Sequence, residues 1–150
     1  MAETQASDEG KMWAALSYGS YFMGLPLGII PLLQRDNAFA LRHARTATAV
    51  YLVTLISFFV LNVVFTIVAF VTCGFGGLLY PVAFLPVLWG LIVNVHGLIL
   101  AINGDDSEPI GAFGIGELMF GSVQLKETAS IPDSGGDRPP PPPPTAPPEG

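Results

Sequence analysis

Two long apolar runs dominate the pattern of hydrophobic and polar positions along the chain. Residues 46–72, TATAVYLVTLISFFVLNVVFTIVAFVT, contain no charged side chain. As a helix this run would be about 40 Å long, which exceeds the roughly 30 Å of a bilayer's hydrocarbon core. The second run, residues 78–102, is also uncharged, and Pro81 and Pro86 should kink its first half because proline removes a helical donor. The pattern predicts two transmembrane helices, which the short turn CGFGG makes antiparallel.

A third apolar stretch, residues 12–33, allows two interpretations because Gly24, Pro26, Gly28 and Pro31 interrupt its second half. It can be a single broken span. It can also be a short helix followed by a re-entrant piece, whose free backbone groups protein would have to cover. We favour the broken span. The predicted fold class is therefore an all-α membrane protein with about three transmembrane helices, the first one broken by Gly and Pro.

The remaining segments are polar or mixed. Residues 1–11 form an acidic N-terminal segment, which lacks the basic start of a signal peptide. Residues 110–125 are too short and glycine-rich to span, so we expect them at the membrane surface or against the helices, and the helical membrane domain covers residues 12–126. Residues 127–150 form a predicted disordered tail, whose six consecutive prolines at 139–144 should be extended. The tail is either a spacer or a ligand for a polyproline-binding partner.

Residues 34–45, called the connector here, carry Arg35, Arg42 and Arg45 against the single acid Asp36. Short loops rich in Lys and Arg stay on the cytoplasmic side of a membrane. We therefore expect the connector and the C-terminal tail to be cytoplasmic. The three arginines are interpreted as topology signals that contact anionic headgroups, with a specific ligand role as the alternative.

Composition and motifs narrow the function classes. The chain is 51% hydrophobic and 12% charged, with a net charge of −6, which argues against nucleic-acid binding because that requires a basic surface. Cys73 is the only cysteine, so an intramolecular disulfide and a multi-cysteine metal site are excluded. The sequence holds no Ser-His-Asp set, paired-carboxylate site or HExxH motif. We predict a protein without enzymatic activity, catalytic residues, bound metal or cofactor.

Three polar side chains fall inside the predicted spans, namely Asn62, Asn94 and His96. Hydrogen bonding between helices is the default role of such groups and is worth about 1 kcal/mol in membranes. His96 could instead relay protons, because intramembrane ionisable groups are often functional. The alternative function is then a small oligomeric channel or transporter subunit with a polar path through these three residues.

Several short elements, taken together, resemble a known family. They are KMWAALSYGSYF, GLPLGIIPLL, RDNAFALRHARTA, the two spans and AINGDDSEP. Over about residues 11–120 the chain resembles the bacterial small membrane proteins related to the twenty-kilodalton component of the chloroplast inner-envelope protein translocon (Tic-twenty-like proteins). The positions that correspond to the family pattern, besides Arg35, are Trp13, Pro31, Asp36, His43, Asn103, Gly104 and Pro109.

The resemblance implies a multi-pass protein of the bacterial inner membrane with a possible link to protein translocation. Together with the residues, it favours an accessory or scaffold subunit that contacts the lipid bilayer and other membrane proteins or copies of itself.

Overall fold

The computed structural model describes residues 7–126, and the tail from residue 127 lies outside them. Within the described part, the secondary structure is helical and contains no strand. The elements are α1 (Asp8–Met23), α2 (Ile29–Gln34), α3 (Ala38–Val71), a 3₁₀ helix (Phe75–Phe84), α4 (Leu85–Asn103) and α5 (Ile115–Phe120). Two stretches are long and apolar enough to cross a membrane, Ala38–Val71 and Phe75–Asn103, which confirms that both predicted apolar runs are helical and of spanning length.

Local signals in the sequence explain the helix ends. The side chain of Ser7 accepts a hydrogen bond from the Gly10 amide at the start of α1, and Asn37 does the same for Ala40 at the start of α3. Gly24 and Gly104 end α1 and α4 in the left-handed conformation that glycine tolerates best. Because Asn37 starts α3, much of the predicted connector is helical, and Arg42, His43 and Arg45 lie on α3 itself.

The two prolines of the second apolar run lie where the chain crosses back alongside α3, first as a 3₁₀ helix and then as α4. Pro81 lies inside the 3₁₀ helix, and Pro86 lies in the first turn of α4, where no donor is needed. A 3₁₀ helix rises about 2.0 Å per residue, compared with about 1.5 Å for an α-helix. The ten residues of the 3₁₀ helix and the 19 of α4 therefore reach nearly as far as the 34 residues of α3.

The structure does not confirm the third span. Instead α1 and α2 form a hairpin, residues 8–34, that enters and leaves at the same end of the protein. Its start lies beside the start of α3, because Asn37 Nδ2 donates to Ser7 Oγ at 2.9 Å. Its tip lies part-way along α3, where the Tyr51 hydroxyl donates to the Gly24 carbonyl. We call this element the inserted hairpin, and it corresponds to the re-entrant alternative. Gly24 and Pro26 break the helix, which both interpretations of the sequence require. In the structure the chain reverses its direction at this break.

Buried residues concentrate at one end of the molecule. Within α3 they lie between Phe39 and Thr54, and no described residue of α3 beyond Thr54 is buried. The first half of α3 packs against α1, α2, α4 and α5 in three small clusters, whose buried members include Tyr18, Leu41 and Val93. The second half packs against the 3₁₀ helix and exposes large apolar side chains, as expected of a surface in contact with lipid.

Candidate functional site

All charged residues of the described part lie outside residues 46–104. The start of α1, residues 34–45 and residues 105–108 meet at one end of the helices, called the charged end here. The opposite end is the turn between α3 and the 3₁₀ helix, residues 72–77, and it is uncharged. The charged end is the candidate functional site because it gathers the titratable side chains.

His43 is the centre of the charged end and is 3% exposed. Its Nε2 lies 3.1 Å from the Asp105 carbonyl oxygen, which can only accept, so Nε2 carries the proton. Its Nδ1 then accepts from the Tyr18 hydroxyl at 3.2 Å. The imidazole thus ties α3 to α1 and to the chain that leaves α4. Both ring nitrogens are used in these contacts.

The arginines of the connector have different surroundings. Arg42 Nη1 lies 2.5 Å from Asp106 Oδ2, and both side chains are more than half exposed. Arg45 is only 13% exposed at its side chain; it contacts Glu117 at 2.8 Å and also donates to the Val123 carbonyl. Arg35 is exposed and ends α2 in the left-handed conformation. Arg42 and Arg45 therefore hold C-terminal residues against α3, a role that their predicted contact with headgroups did not include.

Next to His43 there is a cavity of about 50 Å³. A volume of this size holds a few water molecules and no larger ligand. Its lining includes Asp106, Glu108 and Glu117 together with Arg42. The hydroxyl and the amide of Ser107 donate to the Asp105 carboxylate and hold its pKa below the usual range, so this exposed group stays ionised. Within the described residues, no group of three or more His, Cys, Asp or Glu side chains could hold a metal ion.

The structure does not join the predicted intramembrane polar residues into one path. Asn62 and Asn94 each donate to the carbonyl four residues earlier in their own helix, at Phe58 and Gly90. His96 accepts at Nδ1 from the Ile110 amide at 3.0 Å. Each of these side chains therefore satisfies backbone groups locally or, for His96, stabilises a neighbouring segment.

Residues 105–126, called the C-terminal segment, fold back along α4. Trp89 Nε1 donates to the Gly111 carbonyl at 3.0 Å, and Ala112 is buried between Val50 and Val93. Trp89 thus satisfies a backbone acceptor and His96 a backbone donor of this non-helical stretch, which lies beside two spanning helices where water is scarce. The sequence analysis missed Trp89, Tyr18 and Glu117. Glu117 offered a signal, since it is the only charged residue between 109 and 125.

The remaining positions singled out in the sequence fall on helix ends and packing surfaces. Gly104 caps the end of α4, and Asn103, the last residue of α4, is exposed. Asp36, just before α3, is also exposed. Pro31 and Pro109 are buried. Trp13 is half-buried on α1 and, with Pro31 and Asp36, lines a shallow pocket at the charged end.

Comparison with protein-family models decides the family. Residues 9–111, more than half of the chain, match the model of the MamF/MmsF family, the magnetosome magnetite crystal formation protein family. The chain belongs to this family. No curated protein and no solved structure matches the chain.

The MamF/MmsF match shows that the resemblance to Tic-twenty-like proteins is wrong, and the link to protein translocation, which rested on that resemblance, has no support. The elements behind that resemblance were a tryptophan-led helix, a Gly/Pro-rich stretch, a basic connector and an Asn-Gly helix end. Each is the standard physical solution for starting, turning or ending a membrane helix, so unrelated small membrane proteins share them. Membership of the MamF/MmsF family also indicates a membrane location, consistent with the two apolar spans.

The contact between His96 and Ile110 gives a first prediction. In His96→Asn, the side-chain oxygen can take the place of Nδ1 and accept from the Ile110 amide, so stability should stay near that of the wild type. His96→Leu removes the acceptor and should cost about 1 kcal/mol. Hydrogen exchange at the Ile110 amide is the readout, and it should accelerate in the leucine variant only. Equal protection in both variants would contradict this role of His96.

Proposed function

We propose that this chain takes part in magnetite crystal formation from within the magnetosome membrane, as a non-catalytic protein that acts by contacts with lipid and with other membrane proteins. The observation that carries the proposal is the family match over residues 9–111, because this range includes the inserted hairpin and both spanning helices. The match thus covers all of the helical framework except α5 and the first residue of α1.

Support for a non-catalytic role comes from how the reactive side chains are used. Both ring nitrogens of His43 are hydrogen-bonded, one to the Tyr18 hydroxyl and the other to the Asp105 carbonyl. Arg45 and Glu117 bind each other, and Asp105 is held by Ser107. Side chains used in this way position helices and segments, and a substrate would have to displace these contacts to use them. The same surfaces remain available to lipid and to protein partners.

We also propose that the charged end faces the cytoplasm. The support is the arginine content of the connector, since short basic loops stay cytoplasmic. The start of the inserted hairpin lies at this end, as do the C-terminal residues up to 126. The uncharged residues 72–77 would then face the interior of the magnetosome. Under this orientation, the carboxylates of the charged end do not meet the growing crystal.

Complementation tests the proposal. In a magnetite-forming bacterium from which the gene has been deleted, we expect crystals of altered size, measured by electron microscopy, and recovery on expression of the full chain. Gly19→Ala, which nothing within 4 Å opposes, should restore normal crystals, and so should Asp105→Asn. Crystals unaffected by the deletion would overturn the role in mineral formation. Failure of Asp105→Asn at normal protein level would overturn the non-catalytic role.

A further inference from the structure

The number of helices differs sharply between the two halves of the protein. At the level of residues 41–48, α3 is surrounded by four other elements: Leu41 and Ala44 pack on α2, Ala47 packs on α1 and α4, and Thr46 lies against α5. Beyond Thr54, α3 contacts the 3₁₀ helix, as at Phe58–Phe84 and Thr66–Tyr80. The charged-end half therefore has a much larger cross-section.

The inserted hairpin stops before the middle of the membrane. Its tip lies at the level of Tyr51, which binds the Gly24 carbonyl. The uncharged run 46–72 has its midpoint at Phe59, about 12 Å further along α3 at about 1.5 Å per residue. The C-terminal segment reaches a similar depth, because Ala112 packs against Val50. Both additions thus occupy the leaflet at the charged end alone.

The outer surface of these additions is apolar. On the hairpin, Phe22 is 56% exposed and Met23 is 70% exposed, and on α5 Leu118 is 84% exposed. Residues 12–33 of the hairpin, like residues 46–104 of the spanning helices, contain no charged residue, so the hairpin face and the exposed apolar face of α3 and α4 have the same character. Lipid must cover the spanning helices, and the shared character of the two faces identifies acyl chains of the same leaflet as the occupant of the hairpin face.

We propose that the chain is a membrane wedge, which takes up more area in the leaflet at its charged end than in the opposite leaflet. A wedge fits best where the wider side lies on the convex face of a curved membrane, and apolar elements inserted into one leaflet are sensitive to curvature. The chain therefore concentrates in, and stabilises, membrane that is convex on its charged side. This activity goes beyond the proposed function and does not depend on any role in mineral formation.

The direction of curvature that the chain prefers depends on which side of the membrane its charged end faces. With the charged end in the cytoplasm, the favoured membrane bulges toward the cytoplasm, as the wall of a small internal compartment does. With the charged end on the other side, the same wedge would favour the opposite curvature. The dependence on orientation distinguishes a wedge from a protein that accumulates on curved membrane for any other reason.

Narrow tubes pulled outward from giant phosphatidylcholine–phosphatidylglycerol vesicles test the wedge. The full chain carries a fluorophore on Cys73, its only cysteine, and protease digestion of the charged end reports the orientation of each preparation. With the charged end outside, we expect several-fold enrichment in the tube relative to a lipid dye. With the charged end inside, we expect depletion. Equal density in both orientations, or enrichment in both, overturns the proposal.

Variants assign the effect to the hairpin. In the double variant Phe22→Glu and Met23→Glu, both exposed tip residues become charged, so the tip should leave the hydrocarbon and enrichment should fall toward unity. The control is Phe75→Glu, at a more exposed position of the uncharged end, which should be enriched like the wild type. Unchanged enrichment in a double variant that keeps its helical circular dichroism would overturn the role of the hairpin. Energy transfer between labelled copies at high lipid dilution, abolished by the double variant, would indicate a second copy on this face and also overturn it.

Discussion

Gly97→Ala should destabilise the protein, and Gly97→Leu should prevent α1 from packing against α4, so that the protein does not fold. A Cβ atom at Gly97 would lie 2.4 Å from Tyr18 Cε1 and 2.5 Å from Cζ. Tyr18 cannot turn away, because it is fully buried and its hydroxyl is bound to His43 Nδ1. Overpacking of this kind costs about 1–3 kcal/mol, and the better helix propensity of alanine returns about 1 kcal/mol of it. The net destabilisation is therefore up to about 2 kcal/mol, and we expect a lower melting temperature in detergent for Gly97→Ala.

The control and the rescue for this prediction use the same pair of helices. Gly19→Ala on α1 meets nothing within 4 Å, so it should be neutral or slightly stabilising. Adding Tyr18→Leu to Gly97→Ala removes the ring that the new methyl group meets, and the double variant should lose less than the sum of the two single variants. Additive losses would show that Gly97 and Tyr18 do not hold α1 against α4.

Arg45→Met should release the C-terminal segment from α3. The substitution keeps the length of the side chain but removes the bonds to Glu117 and to the Val123 carbonyl. Hydrogen bonds that involve a charged group contribute about 1.5–3 kcal/mol each. The buried Nε of Arg45 has no partner among the described residues, so its removal offsets part of this loss. Hydrogen exchange at the amides of Leu118 in α5 and of Gly121, which caps α5, should accelerate strongly.

Arg42→Met is the matched control for Arg45→Met. Its partner is Asp106, and both side chains are more than half exposed. Exposed ion pairs contribute about 0–1 kcal/mol because water screens them. Exchange at the α5 amides should therefore stay near the wild-type rate. If both variants accelerated exchange equally, net charge rather than the Arg45 contacts would be holding the segment.

The two spanning helices could be predicted from the sequence because their signal is local. Residues 46–72 and 78–102 have the length and the lack of charge that a bilayer requires, and the structure places helices over both. The path of residues 12–33 could not be predicted in the same way. Gly24 and Pro26 break a helix, but the break alone does not say whether the chain continues or returns. The Tyr18–Gly97 contact and the Ser7–Asn37 bond, which join distant parts of the sequence, decide the direction.

The candidate site was only partly visible in the sequence. The arginines of the connector stood out because charge is rare in this chain, but their partners Asp106 and Glu117 lie more than 60 residues away. For His96, its position inside a predicted span suggested a hydrogen bond between helices, whereas in the structure it accepts from the Ile110 amide of the C-terminal segment. No periodic pattern marks such a segment, because its backbone is irregular and its depth depends on packing against Val50 and Val93.

Labelling of single cysteines from each side of the membrane tests most directly whether two helices span and the hairpin returns. The wild type offers Cys73, which is exposed at the uncharged end. In a Cys73→Ser background, Asp8→Cys and Asp36→Cys place exposed thiols at the start of the inserted hairpin and in the connector. With a membrane-impermeant maleimide on sealed vesicles of known orientation, we expect Asp8→Cys and Asp36→Cys to react from one side and Cys73 from the other. Reaction of Asp8→Cys from the same side as Cys73, opposite to Asp36→Cys, would mean that residues 12–33 cross the membrane and would contradict the inserted hairpin.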